Sequence, residues 1–430
     1  MTFIADLHIH SKYSRATSKD MTLDHLACWA NVKGISLLGS GDFTHPEWLF
    51  LCKEKLLSTE NGFFKLKHVI PPEDGFLQSF SSQAVRTSFV LSSEISLIYS
   101  KRGKVRKIHL LLLAPDFDTV DRINARLSAI GNLRSDGRPI LGLDARDFLR
   151  LVSRSAPRCV VIPAHVWTPW FSLFGANSGF DTIEECFEEM TPSIFALETG
   201  LSSDPAMNNR LSGLDKYALV SNSDAHSPSK IGREANVFDT DFSFDGMLAA
   251  LRSNDPQKFL FTVEFFPEEG KYYSDGHRKC DVILSPIETK KHNFLCPKCR
   301  KKLTVGVMHR LNDLADREPG EPSLRLVPFR NLIPLNEIIG QAVEKTAGCR
   351  SVRDLYFRFI HEFGNEFTIL METPNDDLKR ISPDRIAEGI DRMRRAKVRI
   401  IPGHDGSFGR INLFNSEAEE QEDAGQLTLF

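Results

Sequence analysis

The sequence predicts an α/β fold whose parallel sheet is open or closed into a barrel, followed by a small metal-binding module and a mainly helical region. Short β-rich runs alternate with amphipathic stretches over residues 1–262, a pattern typical of strand–helix units. Paired histidine and cysteine residues follow within 263–310, and helix-like segments dominate 311–412. The polar, acidic residues 413–430 predict a disordered tail.

Length and composition indicate a multidomain protein of the cytoplasm. The chain has 430 residues, of which 41% are hydrophobic and 26% charged, so two to three globular domains are expected. No apolar run reaches the roughly 18 residues that span a bilayer. The N-terminus lacks the basic and then apolar pattern of a signal peptide. We therefore expect no membrane association, and the eight cysteines should be thiols or metal ligands rather than disulfides.

The net charge of −3 conceals two regions of opposite sign. Residues 411–430 carry five acidic side chains and no basic one, whereas 271–310 carry ten Lys or Arg against three Asp or Glu. A basic stretch of that density is typical of a nucleic-acid footprint, although a solvated surface has the same composition.

The elements of the first region alternate regularly. The predicted strands are 3–9, 35–41, 88–96, 108–114, 159–164, 194–198 and 218–223. Helical periodicity predicts helices at 23–32, 119–130, 145–153 and 183–188. In folds of this kind the chemistry lies beyond the carboxyl ends of the strands.

Imidazole and carboxylate side chains recur at the ends of these predicted strands. His8 and His10 flank one apolar residue, so in an extended strand both would point to the same face. Two imidazoles on one face suit zinc or manganese, although an isolated pair more often belongs to a core. Further candidates follow later strands: Asp42, His45, Glu94, His109, His165, Asp224 and His226. The recurrence predicts a polynuclear metal centre.

The order of these motifs resembles the PHP (polymerase and histidinol phosphatase) superfamily. The resemblance implies a distorted seven-stranded (β/α)7 barrel with two or three metals. The implied ligands are His8, His10, Glu94, His109, His165, Asp224 and His226, of which His165, Asp224 and His226 would also be the catalytic residues. Two departures, Ser14-Arg15 and Phe43, occupy positions where the superfamily often has an acid and a histidine. Asp42 is expected as a ligand instead, with His45 as the alternative.

Residues 275–302 contain two metal half-sites, His277-x-x-Cys280 and Cys296-x-x-Cys299. This spacing is typical of a zinc ribbon or knuckle with a closed, structural site. The spacer between the half-sites cannot form a large core, so zinc should fold the module. Basic residues expected to contact phosphates surround the second half-site, namely Lys298, Arg300, Lys301 and Lys302.

Aromatic residues follow His165 in a loop rich in proline and glycine. Trp167, Trp170 and Phe171 are predicted to stack on nucleobases, and an apolar plug under the barrel mouth is an equally weighted alternative. The glycine-containing loop 402–409 and the loop 167–179 are both candidates for reading a damaged base.

Helices of the third region are predicted at 333–344, 352–363 and 381–396. Pro334 is expected to begin the first of them, and Ser382 and Pro383 the third. Arg395, in the last turn of the third helix, is expected to contact DNA, although cations also favour helix C-termini.

The last five residues, Gln426-Leu-Thr-Leu-Phe430, resemble the peptide by which bacterial DNA-processing proteins bind the replication sliding clamp, or β-clamp. The predicted clamp contacts are Gln426, Leu427, Leu429 and Phe430. An apolar anchor behind a disordered acidic leader indicates a binding partner.

Taken together, these features resemble the endonuclease Q family of DNA repair enzymes. The resemblance implies hydrolysis of DNA on the 5′ side of uracil, hypoxanthine, xanthine and abasic sites by a multi-metal mechanism. It implies Zn²⁺ in the module and in the catalytic centre, Mg²⁺ or Mn²⁺ for activity, and a bacterial cytoplasmic monomer associated with the nucleoid through DNA. The alternatives are a phosphoesterase for a small phosphorylated metabolite and a clamp-recruited DNA-binding adaptor with an inactive barrel.

Overall fold

The computed structural model describes residues 1–71, 73, 75–80, 86–321 and 328–414, and it has a mixed α/β fold around an 11-stranded sheet. The strands are β1 (Thr2–Asp6), β2 (Leu37–Gly39), β3 (Leu56–Ser58), β4 (Phe64–Leu66), β5 (Ser88–Lys101), β6 (Lys104–Ala114), β7 (Ile140–Leu141), β8 (Val160–Pro163), β9 (Ala196–Glu198), β10 (Ala218–Val220), β11 (Ala235–Asp239), β12 (Phe259–Glu264), β13 (Asp275–His277), β14 (Val282–Leu284), β15 (Phe329–Asn331), β16 (Arg399–Ile401) and β17 (Arg410–Asn412). The helices are α1 (Leu23–Lys33), α2 (Pro46–Lys55), α3 (Gly75–Gln78), α4 (Phe117–Leu127), α5 (Ala145–Ser155), α6 (Ile183–Phe187), α7 (Pro205–Asn208), α8 (Phe244–Ser253), α9 (Pro286–Lys291), α10 (Val307–Leu314), α11 (Leu335–Ala342), α12 (Arg350–Phe363), α13 (Glu366–Met371), α14 (Asn375–Ile381) and α15 (Asp384–Arg394).

Seven strands form the barrel, and they are the seven that the sequence predicts. β1, β2 and β5 are parallel neighbours, β6 lies between β5 and β8, and β9 pairs with β10. Two backbone contacts close the ring: Val166 N–H donates to the Glu198 carbonyl at 3.0 Å, and Ile9 bridges Ala225 in parallel. The predicted α/β barrel fold is therefore confirmed.

One barrel strand departs from the predicted parallel sheet. β5 and β6 form a long antiparallel hairpin, and β6 is also antiparallel to β8. The turn residues Arg102 and Gly103 have φ angles of 52° and 73°. Positive φ at both central residues is the requirement of a type I′ turn, whose twist matches that of the flanking strands. The barrel therefore departs from a regular parallel (β/α) barrel at β6, which runs antiparallel to both of its neighbours.

The small module and the helical region pack onto the barrel sheet and its helices. β11, β12 and β15 extend the sheet beyond β1, so a strand from the third region is part of it. Lys33 on α1 forms a buried ion pair with Glu366 on α13 at 2.6 Å. The module contains the β13–β14 hairpin and a separate core of only three buried residues, Val282, Cys296 and Leu303. A core of that size cannot stabilise a module by itself.

The helical C-terminal region contains the predicted helices with small shifts. Pro334 and Pro383 are the residues preceding α11 and α15 rather than their first helical residues. Leu413 is buried, and Phe414 packs against the core, so the folded part extends past the predicted boundary at 413.

The predicted clamp peptide lies outside the described residues. Within the described part of the chain, every helix is too short or too polar to traverse a lipid bilayer.

Candidate metal centre

The barrel strands β5 and β6 and the loops that follow other barrel strands bring six predicted ligands into two groups. The candidate ligand atoms of His8, His10, Glu94 and Asp224 all lie within 4.8 Å of one another, as do those of Glu94, His109 and His165. Glu94 belongs to both groups and is fully buried. A carboxylate in this position can bridge two cations.

Each oxygen of Glu94 faces one group. Oε2 lies 3.2 Å from Nε2 of His10 and 3.6 Å from Nε2 of His8. Oε1 lies 2.7 Å from Nδ1 of His109 and 3.0 Å from Nε2 of His165. Asp224 Oδ1 is 3.0 Å from Nε2 of His10. The geometry is that of two adjacent sites with one shared ligand.

Unpartnered buried atoms show that these residues fit divalent cations. Nε2 of His8, Nε2 of His10 and Oδ1 of Asp224 are buried, and none of them makes a well-aligned hydrogen bond within the described residues, although Nε2 of His10 and Oδ1 of Asp224 lie 3.0 Å apart. Leaving such an atom unpaired costs about 1–3 kcal/mol. All three belong to the first group, and imidazole with carboxylate oxygen is a donor set that suits zinc, manganese or iron.

The charges of Glu94 and His109 suit metal binding. Burial alone would raise the pKa of Glu94, but its neighbours His109, Arg138, His8 and His10 together outweigh burial and hold this pKa well below its usual range. Burial lowers the pKa of His109 to about 4. An ionised carboxylate and a neutral imidazole are the protonation states that ligation requires.

A second layer of carboxylates orients the first two histidines. Nδ1 of His8 lies 3.0 Å from both oxygens of Glu198, and Nδ1 of His10 lies 3.0 Å from Oδ1 of Asp42. A partner on Nδ1 fixes the ring so that Nε2 faces the site. Sequence reasoning missed Glu198, although it ends a predicted strand in the same way as the proposed ligands end theirs.

Asp42, a predicted ligand, lies outside both ligand groups and contacts the ring of His10. Its Oδ2 accepts hydrogen bonds from the Ser11 backbone and hydroxyl, both at 2.6 Å, and from the Ser14 hydroxyl at 2.8 Å. With Oδ1 against His10, both oxygens of Asp42 are engaged by protein groups. Ser14 thus has a structural role at a position where the superfamily often has an acid.

His45 and His226 also lie outside the two ligand groups. His45 precedes α2 and stacks on Tyr13, with ring centroids 4.4 Å apart. The His226 ring centroid is 4.6 Å from that of His10, and its Nδ1 donates to the Asp224 carbonyl at 2.8 Å. His226 therefore borders the centre, whereas His45 packs against an aromatic ring.

A cation that was not predicted as a site residue reaches the centre from the loop 131–139. Arg138 Nη1 lies 2.9 Å from Oε2 of Glu94. The preceding Gly137 packs so closely that a Cβ there would lie 2.2 Å from Oδ2 of Asp42. Its N–H donates to the Tyr13 carbonyl at 3.1 Å. Close backbone packing thus directs the guanidinium into the site.

The aromatic loop divides into a buried and an exposed part. Trp167 is 1% exposed, and its indole donates to Asn208 at 2.8 Å, so it belongs to the core rather than to a stacking surface. Trp170 is 44% exposed. The Phe171 ring centroid lies 4.7 Å from that of His109. Of the three predicted stacking residues, only Trp170 and Phe171 remain candidates for contact with DNA.

The structure also brings together the four predicted zinc ligands. The ligand atoms of His277, Cys280, Cys296 and Cys299 lie within 4.8 Å of one another. Nearby, Lys298 donates to the Cys280 carbonyl at 2.9 Å, and the basic side chains of Arg300, Lys301 and Lys302 are exposed.

Arg395, which was predicted to contact DNA, is exposed and pairs with Asp391 one turn earlier in α15 at 3.0 Å. This ion pair supports the alternative explanation that Arg395 stabilises the C-terminal end of the helix.

We expect Asp42→Asn to weaken metal binding without unfolding the barrel. The amide oxygen of asparagine can still accept a hydrogen bond from Ser11. The neutral amide, however, no longer balances the positive charge that His10 gains when it binds a metal. Loss of such a partner lowers metal affinity or activity by about 10–100-fold. Isothermal titration of the metal-free protein with Mn²⁺ measures the effect, with exposed Asp118→Asn on α4 as the control. Equal affinities in the two variants would show that Asp42 does not act through His10.

Two family models and two related proteins match this chain. Residues 334–397 match the family model described as MJ0043 C-terminal domain, and 215–256 match the one described as PHP-associated. The uncharacterised protein YqxK of Bacillus subtilis is 30% identical over 95% of this chain and 98% of its own. The uncharacterised protein MJ0043 of Methanocaldococcus jannaschii is 33% identical over 59% of this chain, a match that spans only 32% of that longer protein.

Solved structures match over nearly the whole chain. The crystal structure of a lesion-specific endonuclease, PfuEndoQ from Pyrococcus furiosus, superposes with a TM-score of 0.83 at 28% identity, covering 98% of this chain and 99% of that one. A structure of endonuclease Q with a 27-mer duplex carrying an abasic lesion at the active site superposes with a TM-score of 0.81 at 28% identity, covering 98% and 100%.

Proposed function

The chain belongs to the protein family that includes YqxK of Bacillus subtilis, and from this premise we propose that it is a metal-dependent DNA repair endonuclease that cuts at lesions. The observation that carries the proposal is the pair of ligand groups sharing Glu94, set in a fold that matches a lesion-specific endonuclease over 98% of the chain. The adaptor alternative has no use for two groups of clustered ligand atoms, of which the first contains buried atoms without a well-aligned hydrogen bond.

The proposed substrate is duplex DNA with an abasic site or a deaminated base, cut on the 5′ side of the lesion. The complex of endonuclease Q with an abasic duplex supports the first lesion. Uracil, hypoxanthine and xanthine follow from the resemblance to that family. A base hidden in a duplex must be extruded before it can be recognised by the protein. A base that carries an amino group in place of the carbonyl would leave buried hydrogen-bonding groups of the protein unpaired.

We also propose that the protein acts as a cytoplasmic monomer.

The proposed chemistry is hydrolysis of a phosphodiester. Divalent cations held by the two ligand groups would supply Lewis acidity toward phosphate oxygens and favour the deprotonation of water. Arg138, beside Glu94, is placed to hold a non-bridging phosphate oxygen. Nδ1 of His226 donates to a carbonyl, so Nε2 of the neutral ring can take up a proton, and burial lowers the pKa of this histidine. His226 is therefore suited to proton transfer beside the ligands.

A substrate panel tests this proposal. Wild-type protein with Mg²⁺ or Mn²⁺ is incubated with duplexes carrying one uracil, one hypoxanthine or one abasic site, with a lesion-free duplex, and with a small phosphomonoester. We expect nicks only in the lesion duplexes. Turnover of the phosphomonoester alone would favour the small-metabolite alternative, and DNA binding without any turnover would favour the adaptor.

We expect Arg138→Gln to lower the rate constant of cleavage by about a hundredfold while metal content stays unchanged. Removing one preorganised donor to transition-state charge typically costs 10²–10³ in rate. Arg134→Gln is the matched control, because Arg134 lies in the same loop but is exposed and pairs with Glu47. A rate unchanged in Arg138→Gln, or lowered equally in the control, would contradict the assigned role.

Recruitment to the sliding clamp is a further part of the proposal. The supporting observation is the terminal sequence Gln426-Leu-Thr-Leu-Phe430 behind an acidic leader. Deleting 426–430 is expected to abolish binding to the purified β-clamp in a calorimetric titration and to leave nicking of a short free oligonucleotide unchanged. Clamp binding that survives the deletion rejects this part of the proposal, and so does a large loss of nicking.

A further inference from the structure

Glu198, at the end of β9, contacts both ligand groups of the metal centre. Its side chain is fully buried. Nδ1 of His8, in the first group, lies 3.0 Å from each of its two oxygens. The backbone N–H of His165, in the second group, donates to Oε2 at 2.8 Å. One carboxylate outside the ligand set therefore bonds to a residue of each group.

Glu198 also fixes the backbone of His165 from both sides. The φ angle of His165 is 32°, in a region that non-glycine residues rarely adopt and that persists where neighbouring contacts hold it. The N–H of His165 bonds to the Glu198 side chain, and the next N–H, that of Val166, donates to the Glu198 carbonyl at 3.0 Å. These two bonds hold the conformation in which Nε2 of His165 lies 3.0 Å from Oε1 of Glu94.

Asn222, in the loop after β10, presents a fixed donor to the other oxygen of Glu198. Nδ2 of Asn222 donates to Oε1 at 2.8 Å. Oδ1 of this amide accepts from the Leu7 backbone at 2.8 Å and from the Asn236 side chain at 2.9 Å. A rotated amide would set its NH2 group against the Leu7 N–H. Asn236 is fixed in turn, because its Oδ1 accepts from the Ser221 backbone at 3.0 Å.

Both oxygens of Glu198 must therefore act as acceptors. Oε1 faces the NH2 group of Asn222, and Oε2 faces the N–H of His165. A carboxylate accepts on both oxygens, so Nδ1 of His8 has to carry the ring proton, and Nε2 is left unprotonated for a metal. An amide cannot replace this carboxylate without loss, because its NH2 group would meet a donor in either orientation.

We propose that Glu198 is a positioning residue that couples the two cation sites of the metal centre. It selects the tautomer of His8 in the first group and holds the backbone of His165 in the second. Asp42, by contrast, lies behind His10, a ligand of the first group. The inference rests on the metal centre of the proposed function, and it concerns metal binding rather than the choice of substrate.

Calorimetric titration of the metal-free protein with Mn²⁺ tests the coupling, with the affinity of each cation site as the readout. Wild-type protein should bind two Mn²⁺, one at each ligand group. We expect Glu198→Gln to weaken both binding events by about 10–100-fold, as loss of a partner of a metal ligand typically does. Asp42→Asn is the matched comparison, because it also exchanges a carboxylate for an amide behind a ligating histidine. It should weaken only one of the two events.

A compensating exchange separates positioning from a general loss of stability. In the double variant Glu198→Gln with Asn222→Asp, the amide and the carboxylate trade places, so the NH2 group at position 198 meets an acceptor instead of a donor. We expect this variant to bind Mn²⁺ about tenfold more tightly at each site than Glu198→Gln does. Thermal melting of all variants checks that the barrel is folded.

The outcomes distinguish the coupling from the proposed function. Weakening of only one event by Glu198→Gln, unchanged affinities, or a double variant that binds no better than Glu198→Gln would overturn the coupling. If Glu198→Gln does not fold, a double variant that also fails to fold, or that folds without binding two Mn²⁺, overturns it. No DNA enters these titrations, so a protein that shows the expected pattern but never nicks lesion DNA would reject the proposed function and leave the coupling standing.

Discussion

Replacing Glu94 with glutamine is expected to abolish lesion-dependent nicking. Glu94 is the one residue common to the two ligand groups, and its two oxygens face different histidines. An amide offers one oxygen and a nitrogen that cannot ligate, so at least one cation site is lost. Because metals supply several kcal/mol of charge stabilisation and about 1.4 kcal/mol is a factor of ten, we expect the rate to fall about a thousandfold or more.

Two readouts are needed to interpret this variant. Metal analysis by mass spectrometry should show a loss of catalytic-centre metal, and thermal melting should show that the barrel remains folded. Glu54→Gln, an exposed substitution on α2, is the control and should retain both metal and activity. Wild-type nicking by Glu94→Gln with unchanged metal content would remove the barrel centre from the chemistry.

Replacing Cys296 with serine is expected to release the metal of the small module and to loosen its backbone. Cys296 is fully buried and is one of the three residues of the module's own core. Structural zinc supplies about 10–16 kcal/mol of apparent binding free energy in comparable small domains. We expect the loss of about one equivalent of zinc and faster amide hydrogen exchange over 271–310.

Cys349→Ser is the matched control for this experiment. Cys349 precedes α12 and contacts Ser351, well outside the four-residue cluster. It should keep its zinc and its exchange protection. If Cys296→Ser retains as much zinc as Cys349→Ser, the cluster is not a zinc site.

The parts of the fold that the sequence predicts are those encoded by local patterns. Alternating runs locate all seven barrel strands because each is a short apolar segment bounded by polar residues. The ligand quartet of the module is readable because its members come in two close pairs. The β5–β6 hairpin could not be predicted from the sequence, because its turn at Arg102-Gly103 is flanked by basic residues without an apolar alternation.

The errors at the site come from tertiary contacts that no local pattern encodes. A sequence cannot show that Asp42 lies behind His10, where it also contacts Ser11 and Ser14. Trp167 belongs to the core because Asn208, 41 positions away, accepts its indole hydrogen. Arg138 reaches Glu94 only because Gly137 packs against Asp42.

Single-turnover cleavage of an end-labelled duplex with one abasic site, run beside its lesion-free twin, tests the proposed lesion-directed metal chemistry most directly. Metal-reconstituted wild-type protein should produce one nick, on the 5′ side of the lesion, and should leave the twin intact. Glu94→Gln should cut neither duplex. Equal cutting of both duplexes by the wild type, or undiminished cutting by Glu94→Gln, would contradict a lesion-specific endonuclease built on the shared Glu94.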